Sequence, residues 1–343
     1  MEDNRIYYLD HIRVIAIFFV VFTHCHENIP LDNLLVKSFF YSVDRMAVPL
    51  FFMISGGLLL SRDYTNSIGK FYSLKTFRFV ITIILFAVLT NIISEFITTD
   101  HSFASIIKTS VKYHNGIYPT NYGSAIHLWF MYPIILLYLV TPFVSNLVRN
   151  TSTKGIVFLI LIGFLLNQGN FFIKSLFPEM FIFNLMGNDF TGPYLSYFLF
   201  GYIAINRLNR NYGNQYLLFL LISITIIVEI YLDKYQNNFI EENHWYSTSL
   251  YIAISSCLFF LFLKNISLLN KKRPFIIILS NCVFGVYLIH VCWIYIIMGI
   301  LTKFKLLEVQ NYMLLFIYFI FTLPASFISI YFLKKVKFLK YIF

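Results

Sequence analysis

Ten apolar stretches run through this chain, at 6–25, 45–61, 77–97, 127–146, 156–173, 191–206, 216–233, 248–263, 275–301 and 312–333. Crossing the hydrocarbon core of a bilayer takes about 20 apolar residues, and each stretch comes close to that length. The polar residues left between them are too few to close a water-soluble surface. Only 12% of the residues are charged, against roughly a quarter in a soluble domain. Forty Phe and 25 Tyr suit lipid-facing helices with aromatic belts at the interfaces. A lipid interior offers no partners to backbone amides, so the stretches are expected as helices. The expected fold is an all-α integral membrane bundle of about ten helices, a single transmembrane domain over residues 1–343. The first stretch ends in His24-Cys25-His26 with no small-residue cleavage site, so it is expected as a retained helix rather than a signal peptide.

The net charge of +10 does not imply nucleic acid, because the cations form neither a face nor a stripe of a soluble domain. They sit in short segments between apolar stretches, where Lys/Arg bias sets membrane orientation. With the N-terminus in the cytoplasm, sixteen cations fall in cytoplasmic segments: Arg5, Arg62, Lys70, Lys75, Arg149, Lys154, Arg207, Arg210, Lys264, Lys271, Lys272, Arg273, Lys334, Lys335, Lys337 and Lys340. Seven fall outside: Lys37, Lys108, Lys112, Lys174, Lys234, Lys303 and Lys305. Both termini are therefore expected in the cytoplasm. Cys25, Cys257, Cys282 and Cys292 have neither metal-ligand nor disulfide spacing and read as buried small hydrophobes.

Arg13, Arg45 and Arg78 are the cations left for the spans or their edges. An ionisable group in a bilayer is costly and points to function. Arg78 is close enough to its helix start to reach the headgroups; Arg13 lies two turns in. Arg13 and His24 are eleven residues apart, which at ~100° per residue returns to within about 20° of one helical face, roughly 16 Å along the axis. Asp10 lies three residues before Arg13, within reach of an ion pair. At the expected outer depth of His24, Asp44 and Arg45 open the second stretch, and His127 and Trp129 open the fourth. Tyr287 and His290 lie in the ninth, after a Gly285 that permits close helix approach. Glu95 and Glu229 read as interfacial. No metal-ligand clusters, P-loop or dinucleotide glycines are present, so no metal is expected.

These same residues resemble membrane-bound acyltransferase family three. Leu9-Asp10-His11-Ile12-Arg13 with His24 after ten intervening residues is similar to its Arg-x10-His signature. Arg45-Met-Ala-Val-Pro-Leu-Phe-Phe-Met-Ile-Ser-Gly-Gly resembles its second-helix segment, and Lys75-Thr-Phe-Arg78 its third-helix basic pair. His127-Leu-Trp-Phe-Met-Tyr and Phe284-Gly-Val-Tyr-Leu-Ile-His290 are similar to two further blocks. One departure is Val283, where many members have a Ser seven residues before the last His; Ser280 lies about one turn earlier.

The resemblance implies a ten-helix cell-membrane protein that moves an acetyl or other short acyl group from cytoplasmic acyl-CoA to a hydroxyl, occasionally an amine. Acceptors are commonly cell-surface carbohydrates or lipid-linked glycans. Some members carry a fused extracytoplasmic domain; this sequence ends about ten residues after its last stretch, so it is expected to work alone or to hand its product to a separate protein. No permanently bound cofactor is expected. His24, Arg13 and Asp10 are the candidate catalytic residues, His24 as general base, a task that suits an imidazole. Arg13 and Arg78 would meet the phosphates of acyl-CoA, which a planar guanidinium binds bidentately. Arg45, His127, Trp129, Tyr287 and His290 would orient the acceptor or stabilise the oxyanion. An acyl-His24 intermediate stays open beside direct transfer. Loops 98–126 and 174–190 are expected to help define the acceptor. The competing reading is a transporter or flippase for a lipid-linked or acylated sugar, which a polar stripe across a bundle would also serve.

Overall fold

The structure is a computed structural model that describes residues 5–111, 124–176, 192–209, 213–235, 245–306 and 310–336. Residues 112–123 and 177–190 of the two expected acceptor loops lie outside the described residues, as do Lys112, Arg210, Lys337 and Lys340. Every regular element among the described residues is a helix, as backbone satisfaction in lipid demands. The principal ones are α1 (Tyr7–Glu27), α2 (Leu34–Asp44), α3 (Ala47–Leu59), α4 (Ile68–Thr98), α5 (Phe103–Ser110), α6 (Ile126–Arg149), α7 (Thr153–Ile173), α8 (Leu195–Asn206), α9 (Gln215–Tyr235), α10 (Leu250–Asn265), α11 (Pro274–Lys303) and α12 (Asn311–Leu333).

Among the described residues, eight stretches are long and apolar enough to cross a membrane: α1, α2 with α3, α4, α6, α7, α9, α11 and α12. The chain is a multi-pass membrane protein. Phe143, Phe158, Phe219, Ile227 and Phe316 stand exposed on these helices, a surface fit for lipid and not for water. The shorter apolar helices α8 and α10 occupy the two remaining expected spans.

Helix boundaries differ from the sequence expectation in three places. The second span is preceded by α2, where the Asn33 side chain accepts hydrogen bonds from Leu35 N (3.0 Å) and Val36 N (3.4 Å) and caps the helix. Asp44 and Arg45 therefore stand at the joint of α2 and α3 instead of opening a helix. Helix α4 starts nine residues early, at Ile68, and passes through a π-helical turn at Tyr72–Thr76. The expected loop 98–126 contains α5.

By packing, the chain falls into two compact units. The first takes the described residues of Met1–Thr23, Asp32–Asn66 and Thr141–Ser280; the second takes those of His24–Leu31, Ser67–Val140 and Asn281–Phe343. In the first unit α3 and α8 meet backbone to backbone. A Cβ on Gly56 would strike the Phe198 carbonyl, and one on Gly201 the Met53 carbonyl. Asn206 Nδ2 donates to Gly57 O at 2.8 Å across this contact. Such small-residue contacts let membrane helices gain dispersion energy where no hydrophobic force separates them from lipid.

One end of the first unit gathers four segments that the charge bias places on a single side. Arg149 pairs with Asp63 at 3.1 Å, and Ser145 donates to the Arg62 carbonyl. Arg207 Nη2 donates to Val148 O at 3.3 Å. Lys264 is buried, and its Nζ donates to the carbonyls of Ala204 (2.6 Å), Leu208 (2.9 Å) and Asn209 (3.2 Å). Ala204 lies in the last turn of α8 and Leu208 and Asn209 follow it, so the lysine ties the helix end to the chain that leaves it. The hydroxyl and amide of Thr65, then Arg149, hold the Asp63 carboxyl below its ordinary pKa. At the other end, Tyr197 donates to Ser247 O (2.6 Å) and Gln168 to Pro193 O (3.0 Å). Helices α8 and α10 each run from one end to the other.

In the second unit, Tyr72 donates to Leu139 O at 2.6 Å, tying α4 to α6. Gly285 lets α11 and α12 close up: a Cβ there would lie 2.7 Å from Ile330. Lys334 Nζ donates to Asn281 O and Asn311 Nδ2 to Pro30 O, both at 2.6 Å.

Gly201→Ala should lower the melting temperature of the detergent-solubilised protein, because the backbone it meets cannot retreat as a side chain would. Gly69→Ala, where a Cβ meets nothing within 4 Å, should not lower it.

Candidate active site

Four of the candidates read from the sequence come together in the second unit. The His24 ring lies 5.2 Å from that of His290 and 6.3 Å from that of His127, centroid to centroid. His127 and His290 are 5.2 Å apart, edge to face, and Tyr287 lies 6.3 Å from His127. His127, Tyr287 and His290 are buried. The positions follow from local structure. His290 and Tyr287 project from α11 three residues apart, on one face. His127 sits in the 3₁₀ turn that opens α6, Ile126–Phe130, and its carbonyl accepts the Tyr287 hydroxyl at 2.8 Å.

Hydrogen-bond partners fix the proton on each ring. His290 Nδ1 faces the Val286 carbonyl at 3.1 Å. A carbonyl only accepts, so Nδ1 donates and Nε2 of the neutral ring keeps a lone pair. His127 Nε2 faces the Leu288 carbonyl at a longer 3.5 Å, which leaves the lone pair on Nδ1. Neither His290 Nε2 nor His127 Nδ1 has a partner among the described residues. His24 Nδ1 lies 2.8 Å from Glu27 Oε2, so its lone pair belongs to Nε2. The cluster presents imidazole nitrogens as proton acceptors. Among the described residues it forms no group that would hold a metal ion.

The first unit holds Asp10, Arg13 and Arg45. Asp10 is 1% exposed, yet it is fully engaged. The Arg5 guanidinium binds it as a fork, Nε to Oδ2 at 2.7 Å and Nη2 to Oδ1 at 2.9 Å. Arg13 Nη1 reaches Oδ1 at 3.2 Å, and the Ser280 hydroxyl donates to the same oxygen at 2.7 Å. The ion pair expected between Asp10 and Arg13 is present, with two further donors. Arg45 is buried at the α2–α3 joint, its guanidinium 5.0 Å over the Tyr41 ring and 4.7 Å over the Tyr246 ring. Tyr41 stacks on Trp245 at 4.5 Å, and Trp245 Nε1 donates to Asp233 at 2.7 Å.

Two candidates stand apart from the imidazoles in their contacts. Arg78 is half-buried on α4 just past the π turn, and its Nε has no partner among the described residues. Trp129 is half-buried, two residues beyond His127 in the same turn. Glu229 corrects an expectation. It is fully buried and not interfacial, because α9 packs that face on α2. Glu95 keeps a partly exposed side chain and pairs with His101 at 3.3 Å.

The sequence reading did not tie Arg5 or Ser280 to Asp10, or Glu27 to His24. Ser280 is 270 residues from Asp10, so no local pattern reveals it. Arg5 precedes the helix and lies off its periodicity. Glu27 carried a readable signal, the i,i+3 spacing from His24.

A family model described as an acyltransferase domain matches residues 6–331. The chain belongs to acyltransferase family three. No curated protein and no solved structure matches it. The match spans every residue of the imidazole cluster and of the Asp10 cluster except Arg5, so both lie within the acyltransferase domain.

Asp10→Asn should destabilise the protein by about 2–3 kcal/mol. That is below the roughly 3–5 kcal/mol of a fully buried pair, because the Arg5 and Arg13 side chains keep 26% and 29% exposure. Ser280→Ala should cost about 1–2 kcal/mol. Thermal unfolding in detergent ranks the two.

Proposed function

We propose that this acyltransferase moves an acetyl or other short acyl group from cytoplasmic acyl-CoA to a hydroxyl of a cell-surface or lipid-linked carbohydrate in the cell membrane. In this reading the chain crosses the membrane ten times, with both termini in the cytoplasm. The run of α8 and α10 between opposite ends of the first unit supports the count, and the Lys/Arg bias supports the orientation.

The observation that carries the chemistry is the imidazole cluster within an acyltransferase domain. His24 Nε2 takes the proton of the acceptor hydroxyl as its oxygen attacks the thioester carbonyl. The tetrahedral intermediate collapses, the carbon–sulfur bond breaks, and the CoA sulfur leaves with the proton held by His24. Every proton is then accounted for, and the ring is neutral again. Arg13 and Arg78 are the residues assigned to the donor's phosphates, with Asp10 holding Arg13 in place. Acyl-CoA is a substrate here; the reaction needs no resident cofactor.

Membranes carrying the protein should release free CoA from acetyl-CoA in the presence of their own acceptor. His24→Ala should lower that rate by roughly 10²-fold or more while leaving acetyl-CoA binding intact. Wild-type release from this variant would refute the assignment.

A further inference from the structure

The geometry points to Glu27 as the positioning residue of His24, a role that rests on the reading of His24 as the base. The two are three residues apart on α1, the spacing that places side chains on one helical face, and Oε2 lies 2.8 Å from Nδ1. An imidazole has two exchangeable nitrogens, and a reaction that needs the lone pair on one of them needs the proton held on the other. The carboxylate supplies that hold. It receives the Nδ1 hydrogen, keeps the lone pair on Nε2 and fixes the angle of the ring.

The other two imidazoles show why this matters. His127 and His290 are each held by a backbone carbonyl at the nitrogen that donates. A carbonyl fixes a tautomer but brings no net charge. When an imidazole takes a proton it becomes a cation, and of the three only His24 has a carboxylate hydrogen-bonded to its ring among the described residues. Glu27 thus both orients the base and stabilises the charge that forms on it, through His24 and without touching the reacting atoms. Its side chain is 28% exposed, so solvent reaches the carboxylate and lowers the cost of its charge.

Purified full-length protein in lipid nanodiscs tests this with two readouts. The first is CoA release at saturating acetyl-CoA, with membrane extract as the acceptor source. The second is the ¹⁵N spectrum of histidine-labelled protein, where the signals lost in His24→Ala identify that ring. Wild type should show one protonated and one bare His24 nitrogen. Glu27→Ala should merge these toward an averaged pair and slow CoA release at least ~10-fold, toward the roughly 10²–10⁴-fold that a lost general base costs, with KM for acetyl-CoA within about twofold. Glu27→Gln keeps size and an accepting oxygen but no charge, so it should retain the split signals and release CoA at an intermediate rate. Full-rate release from Glu27→Ala, unchanged His24 signals in it, or Glu27→Gln no faster than Glu27→Ala would each overturn the role of Glu27 and leave His24 standing. Full-rate release from His24→Ala would overturn the underlying reading, and this role with it.

Discussion

A carboxylate buried in a membrane-crossing helix must be paired, and Asp10 is the point at which this protein meets that demand. Leaving it charged and alone in a low-dielectric surrounding would cost several kcal/mol. It instead accepts a two-pronged bond from Arg5, a third contact from Arg13 and the Ser280 hydroxyl. The consequence reaches beyond its own solvation. These contacts join the segment before α1 to α1 itself and to the first turns of α11. They also hold Arg13 inside the helix bundle, where a lone arginine would extend toward the headgroups. Asp10 thereby converts a mobile cation into one with a defined direction.

Further along the same unbroken helix the chemistry changes sign. His24 carries no fixed charge but a lone pair, and its neighbours His127 and His290 present lone pairs too. Helix α1 thus bears a guanidinium suited to phosphate in one part and an imidazole suited to a hydroxyl proton in another. The eleven-residue spacing keeps both near one helical face. In the proposed reaction, the donor's phosphates fall to the first of these and the acceptor's proton to the second.

Much of the fold was legible because lipid leaves the backbone so few options. Apolar length located eight long helices and the two short ones, and the charge bias grouped loops that do meet in the first unit, such as those of Arg62, Arg149 and Arg207. The errors lie where polar residues mask a helix. The segment with α2 contains Lys37, Ser38 and Ser42 and read as a loop, although Asn33 before it is a good N-cap. Lys264 counted as one more topological charge, while in the structure it is buried and donates to carbonyls at and just beyond the end of α8. Glu229 read as interfacial because a lone sequence cannot show which face of α9 meets α2. In the candidate site, His24, His127, Tyr287 and His290, which the fold brings together, were all named from the chain. Ser280 depends on a contact across 270 residues, which only folding brings about.

The proton positions narrow a choice that residue identity left open. Arg45, His127, Trp129, Tyr287 and His290 all looked able either to orient the acceptor or to stabilise the oxyanion. An oxyanion needs donors aimed at it. His290 has already given its Nδ1 hydrogen to Val286, and the nitrogen left over carries a lone pair that would repel negative charge. Tyr287 has given its hydroxyl hydrogen to the His127 carbonyl. His127 Nδ1 is bare in the same way. In the proposed reaction these groups suit a hydroxyl that donates to them, so their work falls on the acceptor side.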